Sequence, residues 1–440
     1  MARQTKPAAE EAVAADIIDL SHDGRGVSEV SGRRIFVPGA LPSERVLLRT
    51  RKRRRRHLDA ELVEIIEPAI NRVEPPCPYF GICGGCALQH LEYQAQVEFK
   101  TGVVAEALAR IGEVEPETFE PAITGAQLHY RRRARLGVKY VEGKGRVLVG
   151  FRERAAPYLT NMMACQILVP PMDRLPEALS ETLAESPLRN RIPQAEIAVG
   201  DDTGAIVLRV LDPPGPKDIE SFVALGESLD ADIYLQTGGP DTVVPIGSPP
   251  RQLAYSLEQH GIRIEFEPGD FIQINAEINQ AMVSAAIESA GLVATDKVLD
   301  LYCGLGNFSL PIAKHVSEVL GVEGAAPLVA RAVANANRNE IANARFVTAD
   351  LAKAEWPFFR ESWDVVFLDP ARAGAEAAVA AIPMMQPRRI VYVSCHPGTL
   401  ARDAGELVNR HGYRLKTVRA LDMFPNTHHV EAIAVFDREE

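Results

Sequence analysis

Apolar positions along the chain fall into three regimes. From residue 16 to about 68 they form short runs, Ile17-Ile18, Arg34-Ile35-Phe36-Val37, Val46-Leu47-Leu48 and Ala60-Glu61-Leu62-Val63, separated by Asp23-Gly24, Gly26, Gly32 and Pro38-Gly39. Short strands punctuated in this way predict a small five-stranded OB-like β-barrel. Residues 1–15, rich in Ala and Glu, predict a disordered tail ahead of it. Between Glu92 and Gly112 the apolar period lengthens to that of a helix, at Val97, Val104, Leu108 and Ile111. Residues from about 120 to 265 return to strand-like runs, and Ala195–Val199 and Ala205–Val210 flank Gly200-Asp201-Asp202-Thr203-Gly204, a hairpin signal. The last third alternates buried-type strands with helices, the pattern of a parallel sheet. The fold class that follows is multidomain α/β. It has a barrel at 16–68, a β-rich central domain at 69–265 whose helix 92–112 packs on the next domain, and a Rossmann-like domain at 266–440.

Composition adds the setting. With 440 residues, 46% of them hydrophobic and 24% charged, the chain can bury large cores. No apolar run reaches the roughly 20 residues a membrane helix needs. The N-terminus lacks a signal-peptide core, and Glu10 and Glu11 argue against a transit peptide, so the expected location is the cytoplasm, with no membrane partner. The net charge of −11 is uneven: residues 1–66 carry 13 Lys/Arg against 10 Asp/Glu, so the acidic excess lies in the remainder. Arg49-Thr50-Arg51-Lys52-Arg53-Arg54-Arg55-Arg56 places seven basic residues in eight, within the barrel. On such a fold phosphate contact is the better reading than a solvated loop. Tyr130-Arg131-Arg132-Arg133-Ala134-Arg135 is a second basic cluster, either a further RNA contact or a strand edge guarded by charge.

Six cysteines in a long chain of this kind point to metal or catalysis before disulfides. Cys77, Cys83 and Cys86 lie at x5 and x2 spacing among glycines, too close together for an accidental core. Cys165 is the one candidate for a fourth ligand outside the later sheet domain. Four thiolates suit zinc or an iron–sulfur cluster, and spacing unlike paired CxxC knuckles favours the cluster.

The last third carries the candidate chemistry. Lys297–Tyr302 reads as a buried strand entering Cys303-Gly304-Leu305-Gly306-Asn307, where glycines let a ligand approach the backbone and Cys303 is most simply a packing residue. The next strand ends at Glu323, placed to accept both hydroxyls of a ribose. Asp350 ends a third strand, suited to an adenine. The turn is short and ringed by acids rather than bases, which favours cationic S-adenosylmethionine over a dinucleotide. Asp369 ends a further strand, beside the cofactor crevice, a better reading than a helix cap with Cys395 on the neighbouring strand. Val391-Tyr392-Val393-Ser394 delivers Cys395 to a strand tip before His396-Pro397-Gly398-Thr399, with Thr399 able to cap the helix that follows. That thiol fits a nucleophile and a small core cysteine alike. Glu431, before the final strand Ala432–Phe436, is a candidate general base, although a glutamate there is commonly an exposed charge.

Taken together, the block ending Cys83-Gly84-Gly85-Cys86, Tyr130–Arg135, Phe271-Ile272-Gln273-Ile274-Asn275, Asp300–Phe308, Asp369–Arg372, Ser394–Asp403 and Pro425–Glu431 resemble the RNA uracil-5 methyltransferases. The nearer likeness is to the bacterial branch with an N-terminal TRAM barrel and a 4Fe–4S cluster, acting on 23S ribosomal RNA. The resemblance implies an S-adenosylmethionine-dependent enzyme, monomeric, with RNA as partner. It implies that Cys77, Cys83, Cys86 and Cys165 ligate the cluster. Gln273, Tyr302, Asn307, Glu323, Asp350 and Asp369 would surround S-adenosylmethionine, with Cys395 as nucleophile and Glu431 as base. Ala371, His396 and Asn426 depart from the family pattern, at neighbours of reacting groups. The rivals are the same chemistry on transfer RNA, a cytosine-5 methyltransferase, which would carry cysteine where Ala371 stands, and a non-catalytic iron–sulfur RNA-binding factor.

Overall fold

The computed structural model describes residues 12–30, 32–53, 58–353 and 355–439. The chain divides into two units, one running to Phe99 and including Asn426–His428, the other comprising Lys100–Pro425 and the residues from His429 onward.

The first unit is built on strands β1 (Val13–Asp16), β2 (Asp19–Leu20), β3 (Arg25–Val30), β4 (Arg33–Pro38), β5 (Arg45–Arg53) and β6 (Leu58–Glu67). Their order is β1-β5-β6-β4-β3-β2. β1 pairs with β5, and β2, only two residues further on, pairs with β3 at the opposite end of the sheet. The consecutive strands β1 and β2 therefore stand at the two ends of the sheet. Between them in sequence lies Ile17-Ile18, whose amides donate to the Glu44 and Val27 carbonyls at 2.8 Å. Ile17, Ile35, Val37, Val46 and Leu48 fill the interior. Two expectations are corrected. Ile17-Ile18 is a hinge between strands rather than a strand, because its two amides must serve different partners. Residues 13–15 are not a tail, since their backbone pairs along β5; residues 1–11 lie outside the described residues.

The expected boundary at residue 68 is also corrected. Leu88, Leu91 and Ala69 pack with Leu20 and Leu41 in a second small core. The fully buried Glu44 carboxylate accepts from the Leu41 and Ala69 amides and from the Arg72 guanidinium, at 2.8, 3.3 and 2.5 Å. Residues 69–92 therefore belong with the first unit.

Helix α1 (Tyr93–Ala107) and a π-helical turn at Leu108–Gly112 follow as the periodicity predicts. Beyond them come β7 (Thr118–Ile123), β8 (Arg133–Val141), β9 (Arg146–Gly150), α2 (Leu175–Thr182), β10 (Gln194–Val199), β11 (Gly204–Arg209), α3 (Pro216–Ser228), β12 (Ala231–Gln236) and β13 (Val243–Pro245). β13-β12-β11-β10-β8-β9 form one sheet, with β10 and β11 the expected hairpin. A second hairpin, β14 (Leu253–Leu257) and β15 (Ile262–Phe266), precedes α4 (Ala276–Ala290).

The last third alternates as expected: β16 (Lys297–Leu301), α5 (Ser309–Ala313), β17 (Glu318–Glu323), α6 (Ala326–Arg338), β18 (Ala344–Thr348), β19 (Val365–Leu368), α7 (Glu376–Met385), β20 (Arg389–Ser394), α8 (Pro397–His411), β21 (Tyr413–Leu421) and β22 (Glu431–Arg438). The sheet order is β18-β17-β16-β19-β20-β22-β21-β7, with β22 alone antiparallel to its neighbours. Strands covered on both faces must be apolar throughout, which is why β19 reads Val365-Val366-Phe367-Leu368. Val104 and Leu108 join that core with Ile390, Tyr392 and Leu400. The expected break at residue 265 does not hold. β7 completes the large sheet beside β21, and the amides of Arg263 and Glu265 donate to Asn339, just after α6, and to Asn335 within it. Among the described residues no helix is long and apolar enough to cross a membrane.

Candidate active site

Strand order reverses between β16 and β19, and open α/β sheets bind ligands at the carboxyl ends of the strands beside such a reversal. β16 runs there into a tight turn. Tyr302 takes the left-handed conformation at φ 68°, and the amides of Tyr302 and Cys303 both donate to the Val322 carbonyl. Gly304 follows at φ +54°, and a side chain built on it would meet nothing within 4 Å. The turn thus shows bare backbone to open space. Cys303 is buried, with its thiol pushed up by burial, and it packs where a side chain on Gly321 would fall, in keeping with a packing role.

Acids end the neighbouring strands. Glu323 ends β17, accepting from the Gly304 amide at 3.3 Å and the Ala325 amide at 2.9 Å. Asp350 follows β18, exposed, with its carbonyl accepting from the Trp356 indole at 2.8 Å. Burial and the charges of Asp403, Asp350 and Glu323 push the Tyr302 phenol up to about 12. Asp369 follows β19, where burial and the Asp300 charge push its carboxyl up to about 7. It caps no helix: α7 begins only at Glu376.

The antiparallel insertion of β22 brings together Cys395 and Glu431. Ser394 of β20 pairs with Ala432, so the same register sets Cys395 opposite Glu431. Glu431 is 5% exposed, and its Oε2 has no hydrogen-bond partner. Burial, then the Asp369 charge, push that carboxyl up to about 8, which corrects the plain reading of an exposed glutamate. Cys395 is half-buried, outside the closed core, with its thiol pushed up to about 11 by burial, then by Glu431 and Asp369, while Arg372 acts in the opposite direction. His396 does not serve the thiol. Its Nδ1 accepts from the Thr399 amide at 3.2 Å and caps α8, the place expected for Thr399.

Gln273 and Asn307 lie to one side of this crevice. Asn307 and Asn279 exchange paired side-chain hydrogen bonds at 2.9 and 3.1 Å, and the Tyr255 hydroxyl donates to Asn307 at 2.9 Å. Gln273 lines a small pocket with Arg132, Tyr255, Ser256 and Asn279. Most of the Asn307 amide is therefore engaged by the protein, leaving one N–H to offer.

Two buried acids escaped the sequence reading. Asp300 accepts from the Ser309 hydroxyl, and burial pushes it up to about 7. Asp403 accepts from the Tyr392 hydroxyl at 2.7 Å and the Ala375 amide at 2.8 Å, linking β20 to the segment after Asp369. Both fall inside the motifs that carried the resemblance, and their burial was the missing signal.

The cysteines fall in both units. Cys77, Cys83 and Cys86 lie in a loop of the first unit, half-exposed, with the Gly85 amide donating to Cys83 Sγ at 3.4 Å. Cys165 is buried in the second unit. None is in a disulfide, so the donors suit a metal centre chemically. Among the described residues, however, no three His, Cys, Asp or Glu side chains are placed to hold one metal ion. Ligands of a four-iron cluster bind separate irons and need not meet at one point.

The basic clusters fare differently. Residues 54–57 of the first run lie outside the described residues, and Arg49 pairs with Glu61 at 3.9 Å. In the second, Arg132 and Arg135 pair with Asp201 and Glu196 at 2.6 and 3.0 Å, and Arg133 donates to the Gly269 carbonyl. β9 pairs with β8 only from Gly137 onward, and residues 133–136 pair in the sheet with β10 alone, in keeping with the guarded-edge reading.

Comparison with known proteins agrees with this geometry. The tRNA (Uracil-5-)-methyltransferase family model matches residues 252–439. The chain is 47% identical over 426 residues to the 23S rRNA (uracil(1939)-C(5))-methyltransferase RlmD of Alkalilimnicola ehrlichii, covering 96% of each. It is 45% identical over 438 residues to the same-named protein of Nitrosococcus oceani, covering 98% of each. Among solved structures it is similar to the Pyrococcus abyssi tRNA (uracil-54, C5)-methyltransferase in complex with S-adenosyl-L-homocysteine, with a TM-score of 0.73 and 25% identity over 96% of this chain and 100% of that one. With such identity along nearly its whole length, the chain belongs to the RNA uracil-5-methyltransferase family.

Proposed function

We propose that the protein methylates C5 of a specific uridine in 23S ribosomal RNA, using S-adenosylmethionine. The observation that carries the reading is the register that sets Cys395 opposite a buried Glu431. Uracil C5 is too weak a nucleophile to take a methyl group unaided. Addition of the Cys395 sulfur at C6 moves electron density onto C5, which can then attack a methyl carbon, splitting one hard step into easier ones. S-adenosylmethionine supplies that electrophilic methyl when bound. Glu431 then takes the C5 proton, and Cys395 leaves as C5=C6 reforms. A carboxyl raised to about 8 is a stronger base than an ordinary glutamate and is poised near working pH. Arg372 favours the Cys395 thiolate, and a sulfonium nearby would add to it.

The acids fit a cationic donor. Glu323 would take the ribose, Asp350 the adenine, and Asp369, Tyr302 and Gln273 the remainder, with Asn307 contributing through its one open N–H. The uridine must leave its stack to reach the thiol. We read the sheet of the first unit as a TRAM barrel gripping RNA backbone, and the protein as a monomer in the cytoplasm. We also read Cys77, Cys83, Cys86 and Cys165 as ligands of a 4Fe–4S cluster that holds the RNA-binding surface. Thiol chemistry and spacing support this, and equal iron and sulfide content, lost in Cys83→Ser together with RNA affinity, is the expected result.

The decisive test mixes protein, S-adenosylmethionine and 5-fluorouridine-substituted 23S RNA, followed by a denaturing gel. Fluorine cannot leave as a proton does, so the adduct is trapped. A shifted band that vanishes in Cys395→Ala is expected. A band with transfer RNA alone would move the substrate. No band with either RNA, the cofactor being bound, would refute the mechanism.

A further inference from the structure

Glu431 opens β22 immediately after an irregular segment, residues 422–430, that returns the chain from β21. A base held by one strand end inherits whatever freedom that segment has. Asp422 is only 2% exposed, and irregular backbone needs outside partners when buried. The second unit supplies two. Lys100 of α1 is 1% exposed, an unusual fate for a lysine. Its ammonium donates to Asp422 Oδ1 at 2.5 Å and to the Phe424 carbonyl at 3.0 Å. The buried Tyr130 hydroxyl donates to the Pro425 carbonyl at 2.9 Å. The Phe424 ring then packs edge-on against His429, with centroids 5.6 Å apart, two residues before Glu431. Arg372, which follows Asp369, reaches the other side of the same imidazole at 3.3 Å.

We propose that Lys100 and Tyr130 are positioning residues for the general base, fixing the 422–430 segment so that Glu431 stands where the C5 proton departs. This rests on the reading of Glu431 as that base. Neither residue reaches the reacting atoms. Both act through Phe424 and Pro425, so their loss should spare the steps before proton removal. The thiol still adds, the methyl is still transferred, and the methylated ring then waits on Cys395 with its C5 proton in place.

The test uses the full-length protein, S-adenosylmethionine and 23S RNA carrying [5-³H]uridine. Tritium release reports proton removal, and a denaturing gel reports the covalent protein–RNA species. Lys100→Met alone would strand the buried Asp422 charge and endanger the fold, so the charge-neutral pair Lys100→Met/Asp422→Asn is used beside Tyr130→Phe. Glu431→Gln runs in parallel. In the double variant tritium release should fall about tenfold or more and the covalent species should accumulate, with KM for both substrates little changed; Tyr130→Phe should show a milder form of the same split. Release and adduct falling together, or neither changing, would overturn the proposal. If Glu431→Gln itself accumulates no adduct, the base assignment has failed, and the positioning role falls with it.

Discussion

Neutralising Glu431 should make the nucleophile more reactive and the enzyme slower. The Cys395 thiol stands at about 11, raised by burial first and then by the Glu431 and Asp369 charges. Glu431 stands at about 8, so it is ionised in the range where the thiol begins to titrate. Directly opposed positions in an antiparallel pair lie about 5 Å apart at Cβ, where two full charges at an effective dielectric near 20 repel by about 3 kcal/mol. That would be roughly two pKa units, and it is an upper bound because burial supplies the largest part of the rise. Glu431→Gln should therefore lower the thiol by about one unit and speed its alkylation at pH ~9 about tenfold. Removal of a general base should at the same time slow methylation by about 10²–10⁴-fold. The assay is iodoacetamide alkylation of cofactor-free protein across pH, with the Cys395 peptide quantified by mass spectrometry, beside turnover on RNA. An alkylation profile identical to the parent would mean the two groups do not feel each other. Methylation within about tenfold of the parent would mean the base is elsewhere.

Three further outcomes are expected. Asp300, Asp369 and Glu431 are all raised, to about 7, 7 and 8, so their protonation favours the folded state. That contribution is whole below about pH 4 and is lost as pH rises to those values, so Tm of cofactor-free protein should fall between about pH 4 and 8 and then level off. Asp369→Asn should flatten the slope, and an unchanged slope would refute the assignment. Glu44→Ala strips the buried partner from Arg72 and should cost about 3–5 kcal/mol in denaturant unfolding of the first unit. Gly321→Ala would place a Cβ 2.5 Å from the Phe346 ring and 3.0 Å from Cys303 Sγ, and should cost about 1–3 kcal/mol in thermal unfolding.

Strand-end acids were readable because a buried parallel strand announces itself as an apolar run, and the residue after the run must sit at its carboxyl end. Glu323, Asp350 and Asp369 follow from that alone. The pairing of Cys395 with Glu431 does not, since nothing local says that β22 runs antiparallel between β20 and β21. For the same reason Glu431 looked exposed: one residue of strand register decides whether it faces water or the crevice. Lys100 was hidden differently. Within an amphipathic helix a single lysine reads as solvated, and only Asp422, far along the chain, makes its burial intelligible. The domain boundaries failed because strand-rich composition cannot say which sheet a strand joins, and β7 joins the large one. Val13-Ala14-Ala15 was too short and too plain in composition to show that an edge awaited it.

The insertion of β22 also has a kinetic side. Its neighbours β20 and β21 are joined through α8, and β21 in turn pairs with β7, whose Thr118 lies beside Thr417. Contacts so distant along the chain close slowly, because the loop entropy is lost before the contact forms. β22 lies between β20 and β21, so Cys395 and Glu431 come together only once β22 has docked on β20. The reverse follows for the native protein: a local opening that lifts the β21–β22 hairpin separates sulfur from carboxylate while the cofactor-side strands stay paired. Amides of Ala432–Phe436 exchanging with solvent faster than those of β16 and β19 would mark that opening, and catalytic competence would then be lost before the fold is.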